Sequence, residues 1–528
     1  MATKDSIEMD DLPQTLEGNS PRPQVAEKAD TGSGSKHHRY RPQTEALELI
    51  PEEIARRYHA IPLALSGKTL SVAMAKPSDV FALEALEASS GMRIKTVAGS
   101  AKEIRDAIDF AYKGYGDITK ELSRIPIPKD TGDTITIDTD VNTPIVQALN
   151  LIIEEAVKAH ASDIHFEPQE RELRLRFRID GILQDLPSLS LDVHAALISR
   201  LKILADMNIA DHHHLQDGQI STVAKGRDID IRVATAPTVN GEMAILRLLE
   251  KSMATLGLSM LGMSPEAMKK YEAMLRSSYG MILTSGPTGA GKTTTLYASI
   301  NTLDAKERNI LTVEDPAEYR FGDINQIQVH SQAGITFATG LRGILRLDPD
   351  VIMIGEIRDR ETAQIATQAA LTGHLMLSCV HANDAAGVLS RLADLGVEPF
   401  LIASVVIGVV AQRMVRRICP DCGQLTEVSL VEQEAYERET GEKKTRFLYG
   451  AGCESCSYTG YLGRTGIFEV MPMSEEIRRL VHDQTPAGDI RNQALKEGMI
   501  TMMQDGMHKV GAGITTLGEV VRSAYRLE

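Results

Sequence analysis

The chain contains no tryptophan, and aromatic residues make up only 4% of its 528 residues. Its cores must therefore be built from aliphatic side chains and from its 21 methionines. No run approaches the roughly 18 apolar residues of a membrane span. The best stretch, Phe400 to Ala411, is too short and reads as a buried helix. The amino terminus, MATKDSIEMDD, lacks the apolar segment of a signal peptide. Five cysteines in so long a chain make no disulfide scaffold, but four of them fall in two Cys-x-x-Cys pairs. In a reducing compartment such pairs read as metal ligands. Basic residues are in deficit, with a formal net charge of −15. A general nucleic-acid binder needs an excess of Lys and Arg, so no stable nucleic-acid partner is expected, although a local basic groove remains compatible. What is present, 43% hydrophobic and 24% charged residues, is ordinary for soluble globular protein. A cytoplasmic protein of three or four domains is expected.

Residues 1–44 are rich in Pro, Gly, Ser and charge, and cannot bury enough apolar surface to fold alone. They read as a disordered arm, its Gly-Ser-Gly-Ser-Lys-His-His stretch a linker and not a metal site. Residues 45–114 read as a small α/β unit. Pro51 opens a short helix ending near His59, a hairpin joins 61–65 to 69–74, and a helix follows over 79–89. A strand fits 93–97, and Ser100 caps a helix to Tyr112. Nothing there looks catalytic; a docking role is favoured over a structural cap. Residues 115–140 form a polar linker, whose Asp-rich run lacks the Gly and Glu of an EF-hand loop.

Residues 141–252 read as a second α/β domain, opened by a helix from Pro144 to His160. Leu173, Leu175, Phe177 and Ile179 alternate with Arg174, Arg176 and Arg178. Period two sets the three guanidinium groups on one sheet face, either simply solvated or available to a neighbour's phosphates. The stretch from Arg227 to Val233 repeats the alternation, with Ile229, Ile231 and Val233 inside. From 258 onward, apolar strands at 281–284, 310–313, 351–354 and 375–380 alternate with helices. Such runs suit a parallel sheet buried on both faces.

The strand ending at Ser285 feeds Gly286, Pro287, Thr288, Gly289, Ala290, Gly291, Lys292 and Thr293, and Thr294 continues as helix. This strand–loop–helix context supports a phosphate-binding P-loop. Glycines let successive N–H groups curl around an anion, and the helix N-terminus adds partial positive charge. Lys292 would reach the β/γ-phosphates of ATP, and the Thr293 hydroxyl would bind Mg²⁺. Hydrolysis also needs acids. Glu314, Asp315 and Glu318 follow one strand; Glu356 follows another after four apolar residues and a glycine. Ligands lie at the carboxyl ends of parallel strands, so these acids belong beside the loop, with Glu356 where a base is needed.

These motifs resemble the secretion ATPases of type II secretion and type IV pilus assembly, from about residue 45 to 528. The markers are Ala161-Ser-Asp-Ile-His-Phe-Glu-Pro168 with Leu175 to Gly181, the P-loop, Val313 to Glu318, Leu347 to Asp359, Leu371 to Asp384, and Gly460 to Glu469. The resemblance implies a RecA-like core over 258–528, with a helical part at about 474–528. It implies a homo-hexamer with ATP between subunits, powering pseudopilus or pilus assembly. Glu356 would be the general base, and Glu314, Asp315 and Glu318 would place Mg²⁺ and water. His374 and His381 would sense the γ-phosphate; by residue type alone they equally suit buried structural histidines. Arg227 and Arg232 would reach across to ATP as fingers, and Arg342 and Arg346 match further family arginines. The N-terminal domains would dock inner-membrane platform proteins, leaving the chain peripheral to the membrane through its partners. Two departures stand out. The family writes Gln-Asp-Gly-Arg where this chain has Gln216-Asp217-Gly218-Gln219. The first half of the Gly- and Leu-patterned region that binds a cyclic dinucleotide in many pilus members is not visible here, so no such binding is expected.

Cys419 and Cys422 form one Cys-x-x-Cys pair, Cys453 and Cys456 the other. Tetrahedral Zn²⁺ takes four thiolates, so a structural zinc site is expected in an insertion at about 417–460. A redox pair would explain one motif and leave the other unused. Related retraction motors lack this insertion, which favours an assembly or secretion motor, and the short first domain leans toward type II secretion. Two rivals remain: a nucleic-acid translocase on the same core, and a scaffold that binds nucleotide without hydrolysing it.

Overall fold

A computed structural model describes residues 42, 46–47, 49–112, 144–250, 257–456 and 459–524. The arm expected over 1–44, apart from Pro42, and the linker expected over 115–140 lie outside the described residues.

The first unit begins with the helix Glu52–Tyr58. Pro51 caps it from the position before, its ψ of 146° being extended and not helical. Strands β1 (Ala60–Ser66) and β2 (Thr69–Met74) form the expected hairpin, and β3 (Arg93–Ala98) joins β2 in parallel. The helix Val80–Ser90 starts where the Asp79 side chain accepts the Ala82 N–H at 3.1 Å. Ile61, Leu70, Val72, Leu86, Ile104 and Ile108 are buried together beneath the helices.

The second unit is a wholly antiparallel sheet in the order β6-β5-β4-β10-β9-β8, with β7 on the side of β5. The strands are β4 (Ala161–Pro168), β5 (Glu172–Ile179), β6 (Ile182–Asp185), β7 (Leu189–Ser190), β8 (Gln216–Ala224), β9 (Arg227–Thr238) and β10 (Gly241–Glu250). The helices Pro144–Lys158 and His194–Leu204 share a buried cluster with Leu173, Leu175, Phe177, Ile231 and Val233. The opposite face of β5 carries the three arginines. Each is met by a carboxylate of the same sheet: Arg174 by Asp185 at 2.6 Å, Arg176 by Glu167, and Arg178 by Asp163 at 3.5 Å. That face is neutralised from within.

The core sheet runs β13-β12-β14-β15-β11-β16-β19. Its strands are β11 (Gly280–Ser285), β12 (Ile310–Glu314), β13 (Asn325–Gln328), β14 (Val351–Ile354), β15 (Leu375–Val380), β16 (Val406–Ile418) and β19 (Tyr461–Pro472). All neighbours pair in parallel except β16 with β19. β11, β12, β14 and β15 are buried along their whole lengths, as strands covered on both faces must be. One expectation is corrected. The apolar run Phe400 to Ala411 is not one buried helix: it ends the helix Pro399–Val405 and then becomes β16, beside β11. A short apolar run has no periodicity to separate the two states, and Val406 to Val410 is β-branched apart from one glycine.

Strands β17 (Gly423–Glu427) and β18 (Arg446–Gly450) flank the helix Leu430–Thr440 and fill the insertion. Tyr436 and Phe447 from it pack with Met507, Val510, Leu517 and Val520 of the last two helices, Met502–Gly511 and Leu517–Ala524. Those helices are tied to the sheet by buried charged side chains, Asp505 also accepting the Phe468 N–H at 2.8 Å. Lys509 meets Asp505 at 2.5 Å and donates to Gly466 O. Arg416 of β16 meets Glu519 at 2.7 Å while its guanidinium lies over the Tyr461 ring.

Burial alone would push the Glu519 carboxyl up, but hydrogen bonds from Arg416 and Arg522 outweigh it and hold the group at about 2. An unfolded glutamate titrates at about 4.3. The pair's stabilisation is therefore complete above that value and lost as pH falls through about 2. Glu519→Gln is expected to cost about 3 kcal/mol near neutral pH. Denaturant unfolding followed across acid pH should show a shallower loss in the variant than in the parent; parallel curves would count against the pair.

Candidate nucleotide site and tetracysteine centre

Local sequence shapes the loop after β11. Gly286 has φ 151°, and a Cβ there would lie 2.5 Å from Gln412 O and 2.8 Å from the Ala290 Cβ. Only glycine fits. Gly291, at φ 83°, is the N-cap of the helix Lys292–Thr302 and offers no side-chain acceptor, so the first N–H groups of that helix stay directed at the loop. Pro287, Thr288 and Gly289 are exposed, Ala290 is buried, and Lys292, Thr293 and Thr294 are half-buried in the first turn. The Lys292 ammonium donates to Gly286 O at 2.8 Å and Pro287 O at 3.0 Å, and burial holds it below its ordinary value. Gln412, on β16, donates to Ala290 O at 2.7 Å and accepts from Thr295 Oγ1 at 2.8 Å. Sequence reasoning missed this brace, because a lone Gln in an apolar strand carries no motif.

Glu356 leaves the end of β14 and is largely buried. His381, just past the end of β15, places Nε2 3.2 Å from its carboxylate, and the Arg358 guanidinium meets the other oxygen. That hydrogen bond to Glu356 raises the Arg358 group further above its ordinary range. The segment after β12 is laced differently. Glu314 is buried and accepts from Thr312 Oγ1 at 2.6 Å, Gln326 Nε2 at 2.9 Å and the Tyr297 hydroxyl. Asp315 is exposed. Burial pushes the Glu318 carboxyl up, opposed by Arg232 and Arg247. Arg232 itself donates to Ala317 O, so the second unit touches this segment within one chain.

Three expected residues sit elsewhere. His374 precedes β15, and its carbonyl accepts the Gly280 N–H at 3.0 Å, at the amino end of the sheet. Six strand residues, roughly 20 Å, separate it from the phosphate loop. Within one chain it stands away from that loop, its Nδ1 2.9 Å from Ala369 O. Arg227 is exposed at the start of β9, about 16 Å along the strand from Arg232. Arg342 pairs with Glu361 at 2.6 Å. Gln219 is the direct cross-strand partner of Arg232, which places the family departure beside that arginine.

The four cysteines converge. Cys419 and Cys453 sulfurs are 3.7 Å apart, Cys422 and Cys456 3.9 Å, Cys453 and Cys456 3.7 Å, and all lie within 4.8 Å of one another. Bonds of about 2.3 Å to a tetrahedral zinc imply sulfur separations of about 3.8 Å. Backbone N–H groups of Gly452, Cys453 and Gly460 point at the sulfurs at 3.2–3.3 Å, as a thiolate set needs. The residues fit a metal. Cys379, in β15, is buried against Thr284 Oγ1 at 3.1 Å, and burial pushes its thiol up to about 11.

Known proteins share this architecture. The Legionella pneumophila ATPase DotB superposes with a TM-score of 0.53 at 19% identity, over 75% of this chain and 97% of its own, a likeness of fold alone. The type IV pilus assembly ATPase PilB of Myxococcus xanthus is 40% identical over 491 residues, 91% of this chain and 86% of that protein. The type II secretion system protein HxcR of Pseudomonas aeruginosa is 43% identical over 467 residues, 88% of this chain and 95% of that protein. An MshEN domain model matches residues 37–115, giving the first unit a kinship that its sequence alone did not name. The Type II/IV secretion system protein model matches residues 138–522, and the chain belongs to that family.

Proposed function

We propose that the chain is an ATPase that powers protein secretion or pilus assembly, with type II secretion the favoured machine. The single observation carrying the hydrolytic reading is Glu356, held by His381 at 3.2 Å at the same sheet edge as the phosphate loop. Relatives named for type II secretion outnumber the pilus-named one among the most similar proteins, which favours the first machine. Among the described residues, no helix is long and apolar enough to cross a membrane. Association with the membrane would run through inner-membrane platform proteins, with the first unit as the docking element. A homo-hexamer in the cytoplasm, peripheral to that membrane, completes the reading.

The loop N–H groups of 286–291 and Lys292 bind the ATP phosphates. The Thr293 hydroxyl, with Asp315 and Glu318, suits Mg²⁺, which would neutralise developing phosphate charge. Glu356 takes the proton of the attacking water, with His381 and Arg358 fixing its carboxylate. Glu318, with Arg232 and Arg247 beside it, lines the same edge. His374 and Arg227 lie outside this cluster within one chain and are assigned no role in it. The tetracysteine cluster holds structural zinc.

Lys292→Ala is expected to abolish measurable nucleotide binding. Glu356→Gln should still bind ATP and lose about two orders of magnitude in turnover; phosphate release at the parental rate would move the base elsewhere. Turnover in His381→Ala should fall about tenfold, and in His374→Ala far less; equal losses would contradict the placement of His374. Elemental analysis of protein purified without chelators should find about one zinc per chain. Its removal should expose residues 423–450 to protease, and a metal-free preparation with an unchanged digest would exclude the structural role.

A further inference from the structure

Glu314 heads the acid-rich segment, yet its side chain is not offered to the cleft. It is 3% exposed. One oxygen accepts from Thr312 Oγ1 and Gln326 Nε2, and the other from the Tyr297 hydroxyl. Tyr297 stands on the helix that begins at Lys292, five residues and roughly 7.5 Å along its axis from the phosphate-facing end. The same hydroxyl accepts the backbone N–H of Glu318 at 3.0 Å. One oxygen atom thus joins the phosphate helix to both ends of the segment 314–318. Gln326 continues the lacing, donating to Tyr319 O and accepting from the Phe321 N–H, both at 2.9 Å. The Tyr297 ring packs edge-on against Tyr319 and Phe321, with centroids 5.9 and 4.9 Å away.

We infer that Tyr297 is a positioning residue for ATP hydrolysis, and that Glu314 is its buried anchor and not a ligand of magnesium or water. The inference rests on the hydrolytic reading above. The hydroxyl needs no contact with nucleotide. Its two hydrogen bonds set where Asp315 and Glu318 stand relative to the phosphates, and a misplacement of about 1 Å in such a group can cost about a hundredfold in rate. Burial, with the Glu314 carboxylate beside it, pushes the phenol well above its ordinary range, so it stays a donor throughout the working range.

The test is Tyr297→Phe in the full chain, which removes one oxygen and leaves the ring packed against Tyr319 and Phe321. The parent is assayed first. Turnover in the variant is expected to fall tenfold or more with the KM for MgATP within twofold, while the thermal midpoint drops by only a few degrees and unfolding stays cooperative. Hydrogen exchange should show the Glu318 amide exchanging at least tenfold faster. A faster amide with parental kcat would reduce the hydroxyl to a structural brace and overturn the inference. A rise in KM with unchanged kcat would make it a binding residue and overturn it equally. A parent that binds MgATP without turning it over would instead remove the hydrolytic reading itself, and the positioning role with it.

Discussion

The alignment of parallel strand ends is the constraint on which the site depends. Ser285 pairs with Val380, Ile354 with Ser378, and Val313 with Ile354, so β11, β15, β14 and β12 finish at one edge. The chain segments leaving that edge are pinned to one another before they diverge. Ser285 Oγ donates to Ala382 O at 2.8 Å and accepts from Ala382 N at 3.0 Å. Gly355 N donates to Val313 O at 2.8 Å, and Ile357 N to Cys379 O at 2.9 Å. The phosphate loop, Glu356 and His381 therefore inherit their spacing from backbone hydrogen bonds in a dry sheet, reinforced by the buried Ser285 hydroxyl. A strand slipped by one residue would exchange the residues on its two packed faces and displace these groups by about 3.3 Å.

The second unit meets this edge through the β9–β10 part of the sheet face that also carries the β5 arginines, since Arg178, Asp163, Arg247 and Arg232 lie directly opposite one another from strand to strand. Arg174, Arg176 and Arg178 spend their charge on Asp185, Glu167 and Asp163. Such pairs hold a sheet together and leave little field for a distant phosphate. Arg232 reaches Ala317 O, and Arg232 and Arg247 both oppose the burial-driven rise of the Glu318 carboxyl, so it is β9 and β10 that bring cations toward the acid-rich segment. Gln219, across from Arg232, withholds a further positive charge at that spot.

Much of this was legible in the sequence, and the exceptions have physical causes. Strands with alternating or uninterrupted apolar runs, such as β5 and β14, announce themselves because burial on one or two faces leaves a period. The phosphate loop is legible because backbone conformation demands glycine at fixed spacing. Roles that depend on direction are not. His374 and His381 belong to one short motif, yet six strand residues carry them to opposite ends of the sheet. Glu314, Asp315 and Glu318 look equivalent in sequence, whereas one is buried in a hydrogen-bonded network, one is exposed, and one lies partly buried near arginines. Tyr297 and Gln412 escaped notice because their work is done by single polar atoms in otherwise apolar surroundings. The run 400–411 failed for the opposite reason: uniform apolarity hides the point where helix becomes strand.

The tetracysteine cluster bears on the domain arrangement as well as on its own insertion. The chain leaves Cys456 and, at Gly460, donates a hydrogen bond back to its sulfur, then enters β19 at Tyr461. Two residues later the Gly463 N–H donates to Asp180 at 3.1 Å, and Arg464 lies 4.0 Å from the same carboxylate. Asp180 and Gly181, at φ 49° and 84°, form the two-residue turn between β5 and β6, a geometry that aims the carboxylate outward from the sheet. On the other side, Arg416 precedes Cys419, covers the Tyr461 ring and binds Glu519. Four sulfurs held at metal-like spacing thus fix the loop that receives the second unit's turn, between two rigid supports. The cysteines consequently bear on the contact between the second unit and the core sheet, through the loop that joins Cys456 to β19.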